Sequence, residues 1–294
     1  MNKKKNKVKE AKNTEELLAI WKGKHLLIPD KDKALALIAR HNYYRLSGYA
    51  KYFYNEKRNF KENTTFDDIY NLYAFDRQLR SLVRNLTEEI ELNFRSYIAS
   101  YIATNFGPLG YLNSQYFFNK DRHSKFCQIV QEKVKKYEDK PFIKWNVEQY
   151  GSDIPIWILV EILSFTDLSY LYSNLKDEYQ KNIIAQNYTS KAVVKNKITV
   201  RNWLHSICDV RNICAHSEKL FNLNTIHFNM PKEYKTITNN NTIFALLLIC
   251  KELILDEVKW NIFVINLDNA ISKYNFKNLS FLGFNSNWKN ILKK

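Results

Sequence analysis

The stretch FDDIYNLYAFDRQLRSLVRNLTEEIELNFRSYIASYIATN, residues 66–105, contains neither glycine nor proline. Apolar residues recur in it at Ile69, Leu72, Leu79, Val83, Leu86, Ile90, Phe94 and Tyr97, mostly in steps of three, four or seven. That spacing predicts one long amphipathic helix. A second line, Arg77, Arg80, Arg84, Glu88, Glu91 and Arg95, follows the same period. It reads either as a solvated face with Glu91 and Arg95 paired at i,i+4, or as a phosphate-facing stripe that begins with Arg77, Arg80 and Arg84. The whole chain of 294 residues holds only six glycines and five prolines. So few breakers favour long helices over a sandwich or barrel, and the fold class expected is all-α.

Outward from that helix the chain divides. Residues 1–13 form a lysine-rich tail, expected to be mobile. Residues 14–65 read as an N-terminal helical module, with one helix opening at Thr14–Glu16 and another at Pro29–Asp30 that breaks near Gly48. Residues 66–225 form the core. In it FGPLGY ends the long helix, residues 121–137 are helical, KPFI is a break, and YGSDIPIWILVEILSFTDLSYLYSNL is one apolar helix whose Glu161 is expected to be buried and satisfied. Residues 226–294 are a C-terminal region, with a loop or short strand pair over 226–243 and helix over 242–274.

The formal net charge of +15 fits a polyanionic partner, above all nucleic acid, with plain solubility as the alternative. The four cysteines lie singly among apolar residues with no CxxC pair, which suggests buried thiols in a reducing cytoplasm, not a disulfide frame or zinc site. The basic N-terminus lacks the apolar stretch of a signal peptide. The apolar run TIFALLLICKELIL is interrupted by Lys251 and Glu252 and is too short to span a bilayer, so no membrane partner is expected.

RNICAH, residues 211–216, sets an arginine, an amide and a histidine among apolar neighbours. If residues 199–216 form one helix, apolar side chains cover most of its circumference. His205, Asp209, Asn212 and His216, spaced by four, three and four, then make a single polar line. Arg211 lies off that line, about 140° from His216 at 100° per residue. Histidine can move a proton near neutral pH, and arginine can clamp a phosphate. Together they suit attack of an RNA 2′-hydroxyl on its own phosphate without metal. That reaction wants an acid and a base, and two motif helices meeting across a two-fold dimer would supply two histidines. No HExxH, GxSxG or GxxxxGK[ST] occurs. In NYYRLSGY, Tyr43 and Tyr44 could stack on bases and Arg45 could hold a phosphate, or all three could belong to an aromatic core.

RNICAHSEKLFN resembles the RNxxAHxxRLxN signature of Abi-like proteins, the bacterial abortive-infection group of AbiD and AbiF type. HNYYRLSGYAKYF, the FDRQLR and EIELNFRS segments with GPLGYL, and PIWILVEILSFTDLSYLY resemble further blocks of that group, in the same order, over about residues 14–225. The group is similar to the HEPN superfamily, whose R-x4–6-H motif marks metal-independent ribonucleases. The resemblance implies an all-α HEPN-type bundle with additional N- and C-terminal helices. It further implies a toxin that cleaves RNA, with Arg211 and His216 as the catalytic pair and Asn212 beside them. It implies a homodimer with no metal or cofactor, and a structured non-coding RNA as a possible inhibitor. His205 and Asp209 would support the site, and Lys219 would contact RNA where the group commonly has arginine. Thr166 stands where the group usually has glycine. The alternative is a non-catalytic protein that holds a structured RNA. A third reading makes the polar line an interhelical network in an interaction protein.

Overall fold

The computed structural model describes residues 10–294, so most of the lysine-rich tail lies outside the described residues. Among the described residues there are fourteen α-helices and no strand, only three isolated bridges, and the expected all-α class holds. They fall into two compact units: the described residues up to Gln78 with Ala270–Lys277, and Leu79–Asn269 with Asn278–Lys294.

In the first unit, α1 (Thr14–Lys22) opens on a capping box: the Asn13 side chain accepts from the Glu16 backbone at 2.9 Å, and the Glu16 carboxylate accepts from the Asn13 N–H at 2.8 Å. α2 (Lys31–His41) and α3 (Tyr43–Ala50) are separated at Asn42, not at Gly48. Asn42 takes φ 62°, which asparagine tolerates better than most residues, and its side chain accepts from the Tyr44 N–H at 2.9 Å. One residue thus ends one helix and caps the next, while Gly48 continues α3. Trp21 is fully buried, with ring centroids of Tyr43, Phe66 and Phe60 at 4.7, 6.1 and 6.3 Å. The Tyr49 hydroxyl donates to buried Asp76 at 2.6 Å, and Phe75 stacks on Phe276 at 4.5 Å.

The predicted long helix is α4 (Phe66–Phe106), 41 residues, of which the part from Leu79 onward belongs to the second unit. There Leu79, Val83, Leu86, Ile90 and Phe94 are buried and Tyr97 is half-buried, so the period read from the sequence is the core-facing face. The helix expected over 121–137 is α5 (Lys120–Lys136). KPFI does not merely break the chain: Pro141 takes the first position of α6 (Pro141–Tyr150), where its missing N–H costs nothing. The single apolar helix expected next is two, α7 (Ile156–Ile162) and α8 (Phe165–Asn174), because Ser164 and Asp167 form a capping box that starts a new helix. Glu161 is exposed, contrary to its expected burial, since α7 turns that face to solvent along with Trp157.

α9 (Asp177–Asn187) and α10 (Lys191–Lys195) lead into α11 (Val200–Ala215), whose principal neighbour is α8. Residues 226–241 are loop with one short 3-10 turn, Lys232–Tyr234. The helix expected over 242–274 is again two, α12 (Ile243–Leu253) and α13 (Glu257–Lys273), followed by α14 (Trp288–Leu292). Ile243 through Cys250 are all buried, so the most apolar run of the chain is a core helix. Among the described residues no helix is long and apolar enough to cross a membrane. Cys208, Cys214 and Cys250 are buried and Cys127 is half-buried.

Candidate active site

α11 buries Trp203, Leu204, Ile207, Cys208, Val210 and Cys214. Its polar line faces the other way: His205 and His216 are exposed, and Asp209 and Asn212 are half-buried. His205 Nε2 lies 3.9 Å from Asp209 Oδ2, a loose pair at the surface. The following loop is tied to the buried face, with Trp203 Nε1 donating to the Asn229 carbonyl at 2.7 Å.

Arg211, off the line, turns into the protein. Its Nε lies 3.2 Å from Glu91 Oε2 on α4, an ion pair, and Glu91 is only 5% exposed. The other oxygen of Glu91 accepts from Arg95, which also donates to the Val160 carbonyl. A buried carboxylate is costly unless it is paired and hydrogen-bonded, and here two guanidinium groups share one. The cluster therefore keeps a net positive charge, carried toward solvent by Arg211, whose side chain is 36% exposed. Arg211 Nη1 donates to Asn212 Oδ1 at 3.4 Å, and Asn212 Nδ2 donates to Cys208 Sγ at 3.8 Å. Cys208 in turn meets the Thr166 hydroxyl at 3.2 Å. Burial pushes the Cys208 thiol up, so it stays neutral and serves as a packing and hydrogen-bonding group. Thr166, where the resembling group usually has glycine, thus links α8 to α11.

The end of α11 is set by backbone geometry. Ser217 lies in the left-handed region at φ 58°, its N–H donates to Cys214 O at 3.3 Å, and the Glu218 N–H donates to Ile213 O at 3.0 Å. These two bonds are a Schellman cap built on serine where glycine is usual. His216 is the capping residue, its N–H still bonded to Asn212 O at 2.9 Å, and its imidazole leaves the helix end exposed.

Glu91 is the residue that sequence reasoning misplaced. Its pairing with Arg95 at i,i+4 was expected on a solvated face, yet it is buried and reaches across to α11. The signal lay in register: Glu91 is seven residues before buried Ile98 and four after buried Thr87, on nearly the same face. The arginine stripe is corrected too. Arg84 and Arg77 are exposed, but Arg80 is 6% exposed and cannot present its side chain to a phosphate backbone. Tyr43, Tyr44, Arg45 and Arg77 belong to the first unit, and Arg211, Asn212 and His216 to the second. Tyr43 packs on Trp21, and burial pushes its hydroxyl up to about 12, whereas Tyr44 is 85% exposed and Arg45 is exposed. Lys219 is exposed three residues beyond His216. No group of three or more His, Cys, Asp or Glu among the described residues is arranged to hold a metal ion.

Neither the curated proteins nor the solved structures give a match. The sequence profile of one family, described as Abi-like protein, matches residues 36–222, more than half of the chain, from α2 through α4, α8 and α11 to just past the serine cap. The chain that carries this anchored arginine and exposed histidine belongs to the Abi-like family.

Proposed function

We propose that this protein is a metal-independent endoribonuclease of HEPN type, acting as a toxin in abortive-infection defence against phage. The observation that carries the reading is Arg211 anchored through Nε on buried Glu91, with exposed His216 closing the same helix. Anchoring one side of the guanidinium fixes where its charge can meet a phosphate, which is how positioned electrostatics stabilise a transition state. In the reaction, one His216 takes the proton of an RNA 2′-hydroxyl as that oxygen bonds to its own phosphorus. The bond from phosphorus to the 5′-oxygen breaks, and a second, protonated imidazole gives that oxygen a proton. The products are a 2′,3′-cyclic phosphate and a 5′-hydroxyl. Arg211 offsets the charge that develops on the phosphoryl oxygens. Each chain offers one His216, so the working unit is a homodimer in which both copies serve each site.

A second reading is favoured by the net charge of +15: a non-catalytic protein that holds a structured RNA. Incubating wild type and His216→Ala with RNA in EDTA separates the two. Cleavage with cyclic or 3′-phosphate ends is expected from wild type, and a loss of about a hundredfold or more from the variant. Ends bearing 3′-hydroxyl, a requirement for Mg²⁺, or a folded His216→Ala of full activity would each overturn the nuclease reading. In mixtures, excess His216→Ala chain should suppress wild type beyond simple dilution, and purely additive activity would remove the shared site.

A further inference from the structure

A cleft of about 610 Å³ opens where α5, α8 and α11 meet, upstream of the motif on the same helix. Its volume lies within the range of about 300–1,000 Å³ usual for small-ligand sites. Its mouth carries Phe118, 82% exposed, beside buried Phe117. An exposed phenyl ring at the end of a floppy segment would mean little, but this backbone is pinned. The Phe118 N–H donates to Asn174 O at 2.8 Å, the Asn119 N–H donates to Asn174 Oδ1 at 3.1 Å, and Asn174 Nδ2 donates back to Asn119 O at 3.0 Å. Asn174 is itself 2% exposed. The ring is thus offered to solvent by a rigid support, which lowers the ordering cost of binding a flat partner.

The wall of the cleft is cationic. The guanidinium carbon of Arg122 lies 4.5 Å from the centroid of the Tyr170 ring, and its Nη2 donates to the Ser173 hydroxyl at 3.1 Å. Among the described residues Arg122 has no carboxylate partner, so its charge is oriented but not neutralised. Arg201 shares the cleft and is paired with Asp177 at 3.0 Å. The two arginines and one carboxylate leave a net positive charge, with His205 at the edge. A pinned exposed aromatic ring next to an uncompensated, stacked arginine matches the chemistry of one nucleotide unit: a π-face for the base and a fork for the phosphate.

We infer that this cleft binds a nucleotide of a single-stranded RNA, its base stacked on Phe118 and its phosphate held by Arg122 and Arg201. The inference rests on the ribonuclease reading and extends it. His205 stands about 16 Å along α11 from His216, at 1.5 Å per residue, so the cleft would hold the strand a short way from the bond that is cut. Nothing in the R-x4-H motif requires such a subsite.

The test uses the full chain carrying His216→Ala, so that RNA survives, and a labelled single-stranded oligoribonucleotide of mixed sequence. Phe118→Ala should weaken binding about tenfold, and Phe118→Trp should restore it. Arg122→Gln should weaken binding and flatten its salt dependence by about 0.7 log units, the signature of one lost phosphate contact. Phe118 is exposed, so its removal leaves folding intact, and thermal unfolding checks the Arg122 variant. If the oligoribonucleotide binds but Phe118→Ala and Arg122→Gln leave affinity and salt slope unchanged, the cleft is refuted while the nuclease reading stands. If wild type neither binds nor cleaves RNA, both fall. A free mononucleotide that binds in a Phe118-dependent way while the oligoribonucleotide does not would refute the strand assignment.

Discussion

Two acid–base pairs at the same i,i+4 spacing sit on helices of this protein with opposite fates. His205 and Asp209 on α11 are 3.9 Å apart, with side chains 72% and 47% exposed. Glu91 and Arg95 on α4 are 7% and 12% exposed, and a third partner, Arg211, joins them from another helix. The first pair is solvated, so water and salt screen it to little worth. In the second, removal of one member would leave charge stranded away from water. The lesson is that helical spacing creates the pair but the covering surface gives it its role. Only the buried pair fixes a guanidinium from another helix, that of Arg211.

The sharpest way to break that comparison is Glu91→Ala. It leaves two guanidinium groups facing each other and should cost about 3–5 kcal/mol in denaturant unfolding. A loss below about 1 kcal/mol would put the buried cluster on the same footing as the surface pair. Glu91→Gln keeps the volume and should fold better. It loosens Arg211, so RNA cleavage should still drop by about tenfold or more.

Asp167 stands between the two extremes. Burial works against its charge, but hydrogen bonds from the Ser164 hydroxyl and N–H, and Lys133 at 3.0 Å, outweigh it and hold the carboxyl below the ordinary aspartate range. A carboxyl whose folded pKa is depressed adds stability above its unfolded value, about 3.9, and loses it as pH falls through the lower folded value. Asp167→Asn should therefore cost about 1–2 kcal/mol near neutrality, through the cap and the ion pair. It should also remove part of the stability that wild type loses below about pH 4. An acid limb identical in both proteins would show that this carboxyl titrates as if solvated.

Thr166→Val should have a smaller effect, about 0.5–1 kcal/mol, from loss of the hydroxyl–thiol bond to Cys208. Smallest of all, Asp209→Ala should change unfolding free energy by about 0.5 kcal/mol or less, and 1 M salt should erase the difference. A larger, salt-insensitive loss from Asp209→Ala would show that this pair is not a surface one.

The sequence by itself determined the all-α class, the long helix α4 and the line of polar groups on α11. Periodicity, N-terminal caps and a scarcity of breakers act within a few residues, and those interactions are present in any fold the chain adopts. It also carried the blocks that place the chain in its family. Short-range chemistry that competed with the hydrophobic pattern was harder to see: Asn42 with a positive φ, the Ser164–Asp167 box, and the serine cap after His216. Tertiary structure alone decided which charges are buried. Arg80 and Arg84 share one line on α4, yet Arg80 is covered and Arg84 is not. Glu161 lies within an apolar run and faces water, while Glu91 lies in a charged line and is buried. Burial is a property of what packs on top of a residue. A one-dimensional pattern gives the face a side chain occupies but not the distant helix that comes to cover it.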